Sequence, residues 1–179
     1  MSSIETLIRN YERFISPPWP TNVAGAQRVW FALYDPRDER RLRSRLTEFE
    51  IATVRAGHAW FSCDLTNAFA QWMAVLPYRD DYFASPDDLA IVEDEFVDFV
   101  VLRVAEALTR PEADAGTVVA VYGVASLFGF MRVSTLIERV APQIRGRLLL
   151  FFPGQHDNAN YRLLDARDGW NYHAVPITA

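Results

Sequence analysis

Four side chains that could bind a metal follow predicted strands of this chain. Asp35 and Asp64 each come directly after a short apolar run, and His156 and Asp157 follow a later one. In open α/β sheets, ligands collect outside the carboxyl ends of the strands. Carboxylates and an imidazole at that edge would suit a metal-assisted hydrolase. One interpretation is therefore a metal-dependent phosphohydrolase or nuclease-like site built from Asp64, His156 and Asp157.

The same side chains also have a structural interpretation. Asp35 and Asp64 are placed as helix N-caps, and a Pro-Gly pair before His156 and Asp157 indicates a tight loop that their side chains would satisfy. Caps and loop residues are far commoner than catalytic sites. The sequence thus favours a protein that is not an enzyme and leaves the hydrolase as the alternative.

The sequence gives little support for nucleotide binding or for covalent catalysis. All 18 basic residues are arginine, so a P-loop lysine and a lysine Schiff base are excluded. The run GVASLFG (123–129) lies between a predicted strand and a helix but lacks both phosphate-loop signatures, and tight turns explain its two glycines. The single cysteine, Cys63, is predicted to be a small buried side chain in a reducing compartment. We expect no cofactor.

Charge is distributed unevenly along the chain. Residues 1–60 carry nine arginines against seven acids, residues 61–116 three against twelve, and residues 117–179 six against four. The acidic middle argues against a nucleic-acid platform, because phosphate neutralisation supplies most non-specific affinity. The arginines of 37–45 alternate with acids and are predicted to form a solvated face. Direct DNA contact through them is a weaker alternative.

The pattern of elements predicts a single α/β domain over residues 1–179. Its fold class is a three-layer sandwich with a mostly parallel central sheet of about four strands, predicted at 29–34, 58–63, 117–122 and 147–152. The Asp168-Gly169 turn predicts that Tyr161–Ala166 and Trp170–Val175 form a C-terminal antiparallel hairpin.

The helices are predicted from apolar spacing and cap signals. We expect one helix from Asp35 to about Phe49, a loop over 77–84, a long helix from Ser85 to about Thr109, and a helix that contains Phe130. Residues 1–16 form an amphipathic helix that either packs on the domain or docks on a partner. Its charges do not suit a signal peptide, and no apolar run could span a bilayer, so a cytoplasmic protein without membrane contact is expected.

Three motifs in the C-terminal third carry a family resemblance. They are a buried strand ending in glycine, a Phe-x-Arg helix start, and a strand ending in Pro-Gly-x-x-Asp: VVAVYGV (118–124), FGFMRVSTLI (128–137) and LLFFPGQHDN (149–158). In this order they resemble BrxB, a small component of bacterial BREX (bacteriophage exclusion) systems. Further likeness is found in VWFALYDP (29–36), YRLL (161–164) and DGWNY (168–172), and almost none in residues 50–115.

The resemblance implies a role in phage defence. It implies a non-enzymatic adaptor or assembly subunit that acts through a PglZ-like protein of alkaline-phosphatase fold, with the PglX methyltransferase and the BREX ATPase as further partners. The motif residues it brings forward as contact or shape-determining residues are Phe130, Arg132, Pro153, Gly154, Asp157 and Arg162. Each also has a purely structural interpretation. We expect Arg132 and the Pro-Gly-x-x-Asp loop to meet on one rim.

Overall fold

The computed structural model describes residues 3–157, 160–163, 166–167 and 174–179. Its strands, in chain order, are β1 (Val29–Tyr34), β2 (Ala59–Asp64), β3 (Thr117–Tyr122), β4 (Arg147–Asp157), β5 (Asn160–Leu163), β6 (Ala166–Arg167) and β7 (Val175–Ile177). Its α-helices are α1 (Ser3–Ile15), α2 (Glu39–Ser44), α3 (Leu46–Arg55), α4 (Ala68–Val75), α5 (Arg79–Ala84), α6 (Glu93–Leu108) and α7 (Val133–Val140).

A parallel sheet with the strand order β2-β3-β4-β1-β7 forms the middle layer. Its central strands are continuous apolar runs because both of their faces are covered; every residue of β1 is buried. Phe31 lies opposite Leu150 of β4, and Val119 lies opposite Phe61 of β2. The predicted α/β class with a largely parallel sheet is therefore confirmed, although the parallel strands number five in this order rather than four.

Helices cover both faces of the sheet. On one face, α4, α6 and α7 pack on side chains such as Phe31, Val121 and Phe152. On the other, α1 and α3 pack on the alternate side chains of the same strands, among them Trp30 and Phe151. Since successive strand residues point to opposite faces, each strand supplies both cores. The predicted three layers follow from this alternation.

The first helix packs on the sheet rather than projecting from it. Its apolar stripe is buried against α3 and β1, and the Tyr11 ring lies 5.3 Å from that of Phe49. Thr53 donates its hydroxyl hydrogen to the Phe49 carbonyl, so Tyr11 is the donor in the 2.6 Å hydrogen bond between the Tyr11 and Thr53 hydroxyls. Of the two roles predicted for residues 1–16, the structure shows packing.

The C-terminal hairpin is where the fold departs most from the prediction. Residues 164–165 and 168–173, including the Asp168-Gly169 turn, lie outside the described residues. Within the described ones, Val175 does not belong to an antiparallel arm but begins β7, which runs parallel to β1. The antiparallel pairing that is present joins β5 to the end of β4, and β6 to β5. A strand of three residues has too little pattern to be recognised in the sequence.

Several predicted boundaries also shift. The expected 35–49 helix is a 3₁₀ turn, α2 and α3, broken at Arg45, whose backbone leaves the helical region. The expected loop 77–84 contains α5, and a 3₁₀ segment precedes α6. Phe130 lies outside α7, which begins at Val133. The predicted Pro-Gly-x-x-Asp loop is instead the continuation of β4, which pairs with β5 from Gly154 onward.

Candidate functional site

Asp35 is the N-cap of a 3₁₀ turn, as predicted, whereas Asp64 ends β2 and is not a helix N-cap, because α4 begins at Ala68 with Asn67 as its N-cap. An Asp35 carboxylate oxygen accepts a hydrogen bond of 2.9 Å from the amide of Arg37, and an Asp64 carboxylate oxygen accepts one of 2.8 Å from the amide of Thr66. Because β1 and β2 are three positions apart in the sheet, their ends are separated by about 14 Å. Asp35 and Asp64 therefore do not converge on one metal ion.

Two residues of the alternative set of Asp64, His156 and Asp157 lie on strands that are not neighbours. His156 lies beyond the end of the parallel part of β4, two strands away from Asp64. His156 and Asp35 do line one hollow of about 420 Å³, which Asp64 does not reach. The Asp157 side chain lies outside the described part of the chain. Among the residues described, no group of three or more His, Cys, Asp or Glu is placed to hold a metal.

The glycine turn after β3 serves the backbone. Gly123 has φ of +79°, and a Cβ added there would lie 2.6 Å from the Thr66 amide nitrogen. Only glycine fits this conformation and this approach. Ser126 donates a 2.7 Å hydrogen bond to the Leu65 carbonyl. The Gly123 turn and the Ser126 hydrogen bond thus join the ends of β2 and β3. The glycine serves a tight turn, which was the prediction for this position.

The predicted motif residues fall into two separate places. Phe130 and Arg132 lie before α7, on the face covered by α4 and α6. Pro153 and Gly154 lie in β4, and Arg162 opposes the residue after them. Phe130 and Arg132 line one hollow and Gly154 lines another, and the expectation that Arg132 and the Pro-Gly segment share a rim stays a prediction.

Gly154 has a steric reason to be glycine. A Cβ at this position would lie 1.8 Å from the carbonyl oxygen of Arg162 on the paired strand. That distance is far inside van der Waals contact, and backbone rather than a flexible side chain is in the way. Gly154 is therefore shape-determining, and the same close approach admits β5 alongside β4.

Phe130 closes a cluster of aromatic rings at the start of α6. Its ring stacks on Phe69 at a centroid distance of 4.3 Å and meets Phe96 edge-on at 5.7 Å. Trp72 lies 5.3 Å from Phe96. These four rings, with Pro86 and Leu89, line a hollow of about 240 Å³, which we call the aromatic hollow. Aromatic pairs of this geometry contribute about 0.5–1.5 kcal/mol beyond the area they bury.

A second, more polar hollow of about 580 Å³ adjoins the first and shares Glu93, Gly129 and Phe130 with it. We call it the charged hollow. Glu93 and Asp94 line one side, and Arg132 and Arg139 line the other. Arg139 forms a 2.7 Å ion pair with Asp98. The exposed Arg132 appears in no ion pair among the described residues.

Residues 77–95 form an exposed segment beside both hollows, which we call the acidic arm. It carries seven carboxylates against the single Arg79. Three of its large apolar side chains face solvent: Tyr78 is 79 % exposed, Phe83 65 % and Ile91 78 %. Single exposed apolar residues are ordinary, but several on one short segment beside an apolar hollow indicate a binding surface.

The sequence did not predict the exposed surface of the acidic arm. Phe69 and Trp72 have the i, i+3 spacing that brings rings together on one helix, but that spacing equally describes a core face. A better signal was Tyr78, Phe83 and Ile91, which are large apolar residues outside any helical stripe. Their exposure follows from the break of this region into α5 and a 3₁₀ segment.

Comparison with protein-family models, curated proteins and solved structures finds no match to this chain. Within the part of the chain that the structure describes, no helix combines the length and the apolar character needed to cross a membrane.

Proposed function

We propose that this chain is a non-enzymatic adaptor or assembly subunit of a BREX-type anti-phage defence complex. It acts through protein–protein contacts with a PglZ-like partner of alkaline-phosphatase fold, and the PglX methyltransferase and the BREX ATPase are further candidate partners. The observation that carries the proposal is the exposure of Tyr78, Phe83 and Ile91 on the acidic arm, the segment whose Pro86 and Leu89 line the aromatic hollow. An adaptor needs such a surface.

The motif order in residues 118–158 supports the BREX assignment, and the state of the polar side chains supports the adaptor role. Asp35 and Asp64 cap backbone amides. Burial raises the pKa of the Cys63 thiol, which disfavours a thiolate nucleophile. The protein acts in the cytoplasm, where the defence proteins and the invading DNA meet, and it does not itself bind nucleic acid.

Co-purification tests the proposal. The tagged chain is expressed with the products of its neighbouring genes, and a PglZ-like protein is expected to elute with it in a fixed ratio through size-exclusion chromatography. If every purified neighbour fails to bind at micromolar concentration, the adaptor role is refuted. Binding of the chain alone to duplex DNA, with affinity that falls as salt rises, would contradict the absence of nucleic-acid contact.

A further inference from the structure

The aromatic hollow and the charged hollow form one continuous groove. Gly129 and Phe130 line both, and so does Glu93 at the start of α6. The floor of the groove is apolar: Phe69, Trp72, Phe96 and Phe130 line it, and Phe69 and Phe130 are the two of these rings that are only half-buried. A floor of this kind gains free energy when a large apolar side chain displaces water from it.

The rim of the groove is acidic along the arm, whereas Arg132 and Arg139 line the opposite side of the charged hollow. Asp87 and Glu93 line the aromatic hollow, Asp94 lines the charged one, and the arm that carries them holds seven carboxylates. Within the described residues the only arm carboxylate in an ion pair is Asp80, at 3.7 Å from Arg79. Oppositely charged surfaces steer association and exclude partners of the same sign. The charge along the aromatic hollow and the arm therefore favours a basic occupant.

We propose that this groove docks a basic amphipathic segment of a partner protein. One or more large apolar side chains of the segment enter the aromatic hollow, and its arginines or lysines meet the acidic arm. Tyr78, Phe83 and Ile91 flank the docked segment. This is the helix-in-groove mode of recognition. The inference rests on the proposed function in that the partner is a protein, and it adds the surface used and the chemistry of the segment bound.

A second copy of this chain fits the groove less well. Its most basic stretch, the arginines of 37–45, would have to supply the positive charge. Three of those arginines already form local ion pairs, Arg41 with Asp38, Arg43 with Glu39, and Arg45 with Glu48. Docking them on another copy would break these contacts, whereas a foreign basic segment breaks nothing in this protein.

The groove is tested with a fluorescein-labelled helical peptide composed of leucine and arginine, measured by fluorescence anisotropy against the full chain. The matched probe replaces every arginine by glutamate. One protein variant, called the apolar-rim variant, replaces two exposed apolar side chains of the acidic arm, Phe83→Ser with Ile91→Ser. Another removes charge, Asp87→Asn with Glu93→Gln. Ile51→Ser with Val54→Ser is the control, because these α3 residues are exposed apolar side chains remote from the groove.

The arginine-containing peptide is expected to bind, and the glutamate-containing peptide is expected not to bind. The apolar-rim variant should weaken binding about tenfold or more, since it removes two apolar side chains that the docked peptide would cover. The charge variant should weaken binding and flatten its salt dependence, and the α3 control should bind as the unmodified chain does. In amide NMR spectra the peptide should shift the signals of residues 69–96 and 128–132. Equal binding of both peptides, equal loss in the control, or shifts centred on α3 would overturn the proposal.

Co-purification separates this inference from the adaptor role. If the apolar-rim variant loses the PglZ-like partner and the α3 control keeps it, the groove is the docking surface. If both variants retain the partner at the yield of the unmodified chain, the groove proposal fails while the adaptor role stands. If the unmodified chain captures no partner, the adaptor role fails, and the peptide measurements alone decide whether the groove binds basic segments.

Discussion

Phe130 and Arg132 are two residues apart in the sequence, but their replacement by alanine should have different effects. Phe130→Ala should lower both stability and partner binding, and Arg132→Ala should lower neither. Phe130 packs against Phe69 and Phe96 and is half-buried, whereas Arg132 is exposed. A fully buried phenylalanine costs about 3–5 kcal/mol when truncated to alanine. Because Phe130 is only partly buried but stacked, we expect Phe130→Ala to cost about 2–3 kcal/mol.

In a chain of 179 residues, that loss corresponds to a fall in Tm of roughly 5–10 °C. Arg132→Ala should change the free energy of unfolding by less than about 0.5 kcal/mol, since it removes an exposed side chain without a described ion pair. Urea denaturation followed by tryptophan fluorescence measures both, and Trp72 lies in the affected cluster.

Partner binding completes the comparison. At a temperature where both variants are folded, Phe130→Ala should weaken capture because the hollow loses one wall. Arg132→Ala should leave capture by the acidic arm intact, or strengthen it by removing positive charge from the rim. A large stability loss for Arg132→Ala, or none for Phe130→Ala, would refute the assignment of Phe130 as the packed residue and Arg132 as the exposed one.

Three further predictions concern residues outside the groove. Gly154→Ala should cost about 2 kcal/mol or more in urea denaturation, because its Cβ meets the Arg162 carbonyl at 1.8 Å and forces β5 away; a stability unchanged from the parent would contradict that pairing. Burial raises the pKa values of Tyr11 and Tyr34 above the ordinary tyrosine value of about 10. The unfolded chain then loses protons first as pH rises past 10, so stability should fall there, and Tyr11→Phe should reduce the slope; an unchanged slope would contradict it. Cys63 should react with a thiol reagent only at the rate of unfolding, and fast labelling of the folded protein would show that it is accessible.

The strands were predictable because parallel strands covered on both faces are continuous apolar runs. β1 and β3 match their predicted bounds, and Asp35 caps the turn that follows β1 as its position indicated. Such features depend on neighbours a few residues away, so the sequence pattern contains them. The burial of Cys63 follows from the same apolar run.

Features that depend on distant residues were not predictable. Arg147 is buried because its guanidinium donates to the Pro20 carbonyl and lies 5.0 Å from the Trp19 ring, a meeting of segments far apart in the chain. The strand order is of the same kind: only the placement of β1 beside β4 separates Asp35 from Asp64. The extension of β4 depends on pairing with β5, and a Pro-Gly dipeptide indicates a turn when read alone.

The groove has two walls of different origin. Gly129, Phe130 and Arg132 form the wall that precedes α7, whereas the aromatic residues of α4 and the acidic arm form the other wall. The wall before α7 is held against α4 by the Phe130 ring, which stacks on Phe69. The arm side chains Phe83 and Ile91 are instead exposed. Exchanging the exposed arm residues should therefore change which segment is bound while leaving the unfolding free energy nearly unchanged, whereas exchanging Phe130 should lower the unfolding free energy and weaken the capture of any segment.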